Sequence, residues 1–335
     1  MKISKAEMKD ILVKMMEKYR LAAPAFNEKN DGSKGVLDFL ELKDINNIVM
    51  DDRIPYKSPK EFFFPRCEKL FSFREGEVIA GLARDTKNSA VIFGVKPCDL
   101  EALDVLAKIF SQGKFADPYI AAHFENHLII GVGCQEKKPG CFCDRLHVDM
   151  KNYSNKCDLF LAIDNDGDYY PAYVSEKGMK AFKYFIPELK AGGHAASLTY
   201  DKPLLSLAHD DLQAFETINW ESLSETCLAC GLCTFICPVC HCFNFKDVDE
   251  GGAACRYRIW DSCMFPKFTL HASGHNPRAS KTERYRQRVL HKFVYVPQII
   301  GKTACTGCGR CVRSCPAGMD IQKVVEGVAE LTNSI

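Results

Sequence analysis

Two runs near the end of the chain carry the most specific chemistry in the sequence: Cys227-x2-Cys230-x2-Cys233-x3-Cys237-Pro238 and Cys305-x2-Cys308-x2-Cys311-x3-Cys315-Pro316. Each has the spacing of a bacterial ferredoxin [4Fe–4S] half-site. Three thiolates on a tight loop reach three irons of one cubane, while the fourth, a helical turn further on, points to the companion cluster. Cys227, Cys230, Cys233 and Cys315 therefore read as ligands of one cluster, and Cys305, Cys308, Cys311 and Cys237 as ligands of the other. Gly231, Gly307 and Gly309 let the backbone wrap close to the sulfides, and each proline helps to close its loop. A lone Cys-x2-Cys is often a zinc knuckle or a redox pair. Two complete runs ending in proline make zinc the minor alternative.

Between Cys237 and Cys305 lie 67 residues, far more than in a small ferredoxin. That insertion, taken as 243–304, carries chemistry of its own. Cys240 and Cys242 follow in CPVCHC and Cys263 in WDSC, with His241, His271 and His275 nearby. Three thiolates and one imidazole, His275 being the candidate, would complete another metal site. The alternative is that these are small buried residues packed around two clusters. Cys255 reads as structural or surface.

A quieter group stands in the first half. AVIFGV (90–95) and HLIIGV (127–132) have the character of buried strands. The helix between them opens at Asp99 as N-cap, with Leu100, Leu103, Leu106, Ala107 and Phe110 on one face. Strand, helix and strand in about 40 residues make a crossover unit, so the two strands are expected to be parallel. Cys98 and Cys134 lie just past their C-terminal ends, the edge where α/β sheets build sites. Cys141 and Cys143 follow in a loop able to fold back. Four thiolates are the count an iron–sulfur cluster or a zinc ion requires, against the alternative of four unrelated buried cysteines. Cys67 and Cys157 lack partners and read as core residues.

The remaining elements set the frame. The first 20 residues have the spacing of an amphipathic helix, EFFFPRCEKLFSFR reads as extended, and LFLAI and YYPAYV flank Asp164–Asp168 as a hairpin. The fold expected is an α/β domain over 1–215 followed by a mainly α-helical, two-cluster ferredoxin-like domain over 216–335. Cysteine density changes at that boundary: six fall in residues 1–226 and twelve in the last 109.

Composition narrows the function. Lys+Arg 44 against Asp+Glu 43 leaves a net charge of +1, so no global field draws nucleic acid or an anionic membrane. No signal peptide is apparent and the apolar runs are far shorter than the roughly 20 residues of a membrane span. A cytoplasmic protein is expected, in a reducing compartment that argues against a disulfide framework for its 18 cysteines. No Walker loop, nucleophile elbow or dinucleotide fingerprint appears. The basic run Arg278, Lys281, Arg284, Arg286, Arg288, His291, Lys292 is either a solvated helix face or a counterweight to negative clusters or an acidic partner.

CLACGLCTFICPVCHCF, RIWDSCMFPKFTLHASGHNPR with KTERYRQRVLHK, and CTGCGRCVRSCPAGMDI resemble the family of iron–sulfur subunits found in anaerobic sulfite reductase and, as the beta subunit, in cytoplasmic sulfhydrogenases. IFGVKPCDLEALDVLAKIF and IIGVGC…CFC extend the likeness across most of residues 60–325. The resemblance implies an anaerobic electron-transfer subunit without a substrate site. It would pass electrons between a flavin subunit handling NAD(P)H and a catalytic subunit, a sirohaem sulfite reductase or nickel–iron hydrogenase. The family pattern has counterparts of the eight ferredoxin-type cysteines and of Cys98, Cys134, Cys141, Cys143, Cys240, Cys242 and Cys263; His241, Cys67 and Cys157 fall outside it.

The expectation is thus a non-catalytic hetero-oligomer subunit holding two [4Fe–4S] clusters and a third iron–sulfur centre, with flavin in a partner. The alternative is a catalytic sulfur or disulfide reductase built on an unusual cluster at Cys240, Cys242 and Cys263. A zinc scaffold would purify colourless, whereas the expected protein is brown and releases acid-labile sulfide.

Overall fold

The computed structural model describes residues 1–28, 34–80, 89–112, 114–150, 156–190, 207 and 218–333. The expected boundary at 215/216 lies outside them. Six strands, β1 (Arg20–Glu28), β2 (Lys34–Glu41), β5 (Ala90–Val95), β6 (Leu128–Val132), β7 (Leu159–Ile163) and β8 (Tyr169–Val174), form one sheet in the order β2-β1-β5-β6-β7-β8. The central pairs β1/β5, β5/β6 and β6/β7 are parallel. The edge strands β2 and β8 run antiparallel to their neighbours. β5 and β6 are buried along their whole length, which accounts for their unbroken apolar sequence, because parallel strands are covered on both faces. The crossover unit and the hairpin around Asp164–Asp168 are both present.

The crossover helix, Pro97–Ser111, joins the two halves of the molecule. Leu100, Leu103 and Leu106 pack on the sheet with Ile92, Ile129 and Phe160. Ala102 and Val105, on the opposite face, pack against Cys237, Val239, Val296 and Ala304. The helix begins at Pro97, three residues before the start expected from an Asp99 cap, and Lys96 rather than Asp99 is its N-cap. Proline explains the shift, since its missing N–H is harmless in a first turn. Asp99 is freed for another partner. Its carboxylate, 0% exposed, accepts two hydrogen bonds from the Arg310 guanidinium at 2.6 and 2.8 Å.

The C-terminal part is mixed rather than mainly helical. The insertion opens with a hairpin, β9 (Phe243–Asp249) and β10 (Ala254–Trp260), and β10 pairs antiparallel with β3 (Cys67–Arg74). With β4 (Glu77–Ala80) these strands form a second sheet, ordered β4-β3-β10-β9. Arg258 of β10 pins it, donating to Glu68 of β3 and to Asp117 at the start of helix Pro118–Asn126. EFFFPRCEKLFSFR is therefore not extended throughout: Lys60–Phe63 form a helical turn before β3. Cys67, expected in the core, is exposed at the first position of β3, while Cys157 is buried as expected. Cys255 is buried beside the Ser72 hydroxyl, with 3.3 Å between sulfur and oxygen. Helices Lys281–Leu290, Val296–Ile300 and Ile321–Asn333 complete the C-terminal part. Among the described residues no helix is long and apolar enough to cross a membrane.

Removing one partner of a buried ion pair leaves an uncompensated charge, with a typical loss of about 3–5 kcal/mol. We expect Asp99→Ala to destabilise the protein by roughly that amount in anaerobic chemical denaturation. The double variant Asp99→Leu with Arg310→Met should recover most of it; an Asp99→Ala protein of unchanged stability would contradict the docking role of the pair.

Candidate metal centres

The first ferredoxin-type loop turns at Gly231, whose φ of +77° starts the short helix Leu232–Phe235. A Cβ there would come within 2.7 Å of the Phe265 ring, so the loop is pressed against the insertion. Cys227, Cys230, Cys233 and Cys315 line one cavity, together with Cys311, Met264, Tyr285 and Arg288. The four residues that the spacing assigns to one cluster thus surround a common space. The space is open at one side, where Cys230 is exposed and Leu228 is 65% exposed.

The second set is deeper. Cys237 lies close enough to Cys305, Cys308 and Cys311 for its charge to act on all three. Burial pushes Cys305 up to about 11 and Cys311 up to about 12. Cys237 moves the other way, held well below the usual thiol range by a hydrogen bond from Cys240, with Lys292, Arg288 and Lys60 adding to the effect against burial. Lys292 Nζ stands 3.3 Å from Cys237 Sγ and donates to the Ala304 carbonyl at 2.8 Å. Buried thiols are ordinarily neutral; a bound metal reverses that by taking them as thiolates.

The N-terminal group assembles at the sheet edge. Cys98 sits in the first turn of helix Pro97–Ser111, and Cys134 two residues beyond β6. Cys98 feels the charge of Cys134, Cys134 that of Cys141, and Cys143 those of both Cys141 and Cys134. Burial pushes Cys98 and Cys134 upward, and Cys143 up to about 12. The parallel strands thus bring the four together, and the second ferredoxin-type loop packs directly on them. Phe142 donates its N–H to the Gly307 carbonyl at 2.8 Å, and Cys141 Sγ lies 3.4 Å from the Cys308 carbonyl. A Cβ on Gly307 would stand 2.5 Å from the Cys143 nitrogen, and one on Gly309 2.3 Å from the Gly140 carbonyl oxygen. Both glycines have positive φ, +63° and +70°. Arg313 spans the junction, donating to the Pro139 and Cys308 carbonyls at 2.9 and 3.0 Å.

The three cysteines of the insertion fall into contacts of a different kind. Cys240 hydrogen-bonds Cys237, and Cys242 hydrogen-bonds Cys263. The Cys263 thiol and then its N–H, together with Lys292 and Lys60, draw Cys242 down to about 7 against burial. His275 is in an exposed turn against the His271 ring, 5.5 Å between centroids. His241 packs between Phe110 and His291. Among the described residues no three His, Cys, Asp or Glu side chains meet as a single metal ion requires. The first ferredoxin-type set, with Cys311, borders a cavity instead, the arrangement a cubane with irons at separate corners needs.

Five buried cations stand near the cysteines, of which the sequence reading names Arg288 and Lys292, in the basic run, and not Lys60, Lys96 or Arg310. Lys60, Lys96, Arg288, Lys292 and Arg310 are all buried beside cysteines. One signal was present: Arg284, Arg288 and Lys292 recur every four residues through the basic run, and the structure turns all three inward. The run is therefore a solvated face on one side only.

Residues 226–319 match the 4Fe-4S dicluster domain family. The chain is 30% identical over 311 residues to sulfhydrogenase 2 subunit beta of Pyrococcus furiosus, covering 87% of this chain and 89% of that protein. No solved structure matches. The cysteine-lined cavity, the dicluster match and the near full-length match to this relative lead to one assignment: the chain belongs to the sulfhydrogenase beta-subunit family of iron–sulfur electron-transfer proteins.

Proposed function

We propose that this chain is a non-catalytic subunit that passes single electrons along three [4Fe–4S] clusters. Cys227, Cys230, Cys233 and Cys315 hold the first; Cys305, Cys308, Cys311 and Cys237 the second; Cys98, Cys134, Cys141 and Cys143 the third. The observation that carries this reading is the direct packing of loop Gly140–Cys143 on Gly307 and Gly309, which supports a continuous succession of thiolate sets through the protein. When bound, the clusters supply one-electron chemistry whose potential responds to hydrogen bonds and burial. The chain's own residues deliver thiolates at fixed positions, keep water from the second set and hold the two halves in register through Asp99 and Arg310.

The first set is the surface end of the succession. Exposed Cys230 and Leu228 suit it to exchange with another subunit. The relative's name, a subunit beta, supports a hetero-oligomer. In that assembly a flavin subunit handling NAD(P)H stands on one side and a catalytic subunit, of sulfite reductase or nickel–iron hydrogenase type, on the other. Paired electrons from reduced flavin are separated here and handed on singly in the cytoplasm.

Iron and acid-labile sulfide counted on anaerobically prepared chain test this. We expect about twelve irons, four per cubane, and about eight in Cys98→Ser with the two ferredoxin-type clusters kept. About eight irons in the unaltered chain would confine the clusters to the C-terminal part. Gly307→Ala, which drives a Cβ into the Cys143 backbone, should also lose the third cluster; retention of all iron would show that this close approach is not needed.

A further inference from the structure

Arg288 and Lys292, like Lys60 and Lys96 but unlike Arg310, are buried near the cysteines without a carboxylate ion pair among the described residues; of these four, burial draws Lys60 and Lys96 down, whereas the neighbouring cysteines hold Arg288 and Lys292 charged. They lie four residues apart, Arg288 in helix Lys281–Leu290 and Lys292 in the π-helical turn His291–Tyr295 that continues it. Turns of that kind are frequent at functional sites. Each is only 3% exposed. Among the described residues neither forms an ion pair with a carboxylate, whereas the equally buried Arg310 is neutralised in place by Asp99. Lys292 is met by a carbonyl and by Cys237 Sγ. Arg288 donates to the Cys233 carbonyl at 3.3 Å, and its buried Nε has no hydrogen-bond partner. A buried cation without a counter-charge is strongly unfavourable, so the negative charge these two answer must come from the thiolate sites themselves.

Their placement is not equivalent. Arg288 is near Cys233 of the first set and Cys311 of the second. Lys292 stands against Cys237, 3.3 Å from its Sγ, and near Cys240 and Cys305, and it reaches Cys233 of the first set less than Arg288 does. A reduced cluster carries one more negative charge than an oxidised one, so a fixed cation beside it favours the reduced form.

We propose that Arg288 and Lys292 are positioning residues that raise the reduction potentials of the ferredoxin-type clusters, Arg288 acting on both and Lys292 chiefly on the Cys237-bearing one. The inference rests on the cluster assignment proposed above. The insertion between the two cysteine runs thus delivers the charges that set the driving force between them. Arg310, neutralised by Asp99, locks the halves together without adding a net field.

The test is an EPR-monitored redox titration of the full chain, prepared anaerobically, after iron and sulfide have been counted. Lys292→Met should lower one of the one-electron waves, with at least about a tenfold fall in the reduced-to-oxidised ratio at fixed potential, which is 59 mV for one electron. Arg288→Gln should lower that wave and one other. Lys292→Arg, which keeps the charge, should restore the original potential. If Lys292→Met fails to retain its clusters, Arg288→Gln carries the test, with two lowered waves expected. Loaded variants with unmoved potentials would overturn the inference alone, as would equal shifts of two waves in Lys292→Met. Absence of iron and sulfide from the unaltered chain would instead overturn the cluster assignment beneath it.

Discussion

Gathering many thiolates into the interior of one chain creates a charge problem, and the architecture depends on how that problem is met. Isolated anions in a protein interior are strongly disfavoured, yet metal centres require their cysteines deprotonated. The chain answers with buried cations: Lys96 at the sheet edge, Lys60 against the Cys240 carbonyl, Arg288 and Lys292 between the ferredoxin-type sets, and Arg310 against Asp99. Lys60 illustrates the strain in this arrangement, since burial draws it down to about 8 while Cys240 and Cys237 pull the other way. It is steadied by the Trp260 ring, 3.8 Å from its Nζ.

The same requirement explains why the two halves of the chain do not behave as independent modules. Helix Pro97–Ser111 buries one face in the sheet and the other against the segment after Cys237. β10 of the insertion completes a sheet with β3 from the first half. Gly307 and Gly309 leave no room for a side chain between the second loop and the N-terminal cysteines. The glycine contact brings the second loop directly onto the N-terminal cysteines. A ferredoxin loop that floated on a linker would not be held there.

Much of this was legible in the sequence where the signal was local. The two cysteine runs, the buried strands AVIFGV and HLIIGV, and the Asp164–Asp168 hairpin depend on residues near each other in the chain. The placement of Cys98 and Cys134 just past the ends of neighbouring parallel strands followed from strand direction. What escaped depended on distant partners. Asp99 occupies a position that suits a helix cap, and its true partner is 211 residues away. The strand pairing of Arg258 with Glu68 crosses 190 residues, so the alternating pattern of ACRYRIW could not reveal what it would pair with. The basic run had a readable period of four, but the period does not say which face turns inward. His275 shows the converse, since its nearness in sequence to Cys263 did not become a shared site.

The central claim is that the thiolate sets form one contiguous succession, with the N-terminal group packed on the second ferredoxin-type loop. The most direct measurement is the EPR spectrum of the fully reduced chain, compared with that of the partly reduced chain. Adjacent paramagnetic clusters couple, so the account requires broadened, split signals at full reduction, simplified in Cys98→Ser. A fully reduced spectrum equal to a sum of sharp, independent cluster signals would contradict it.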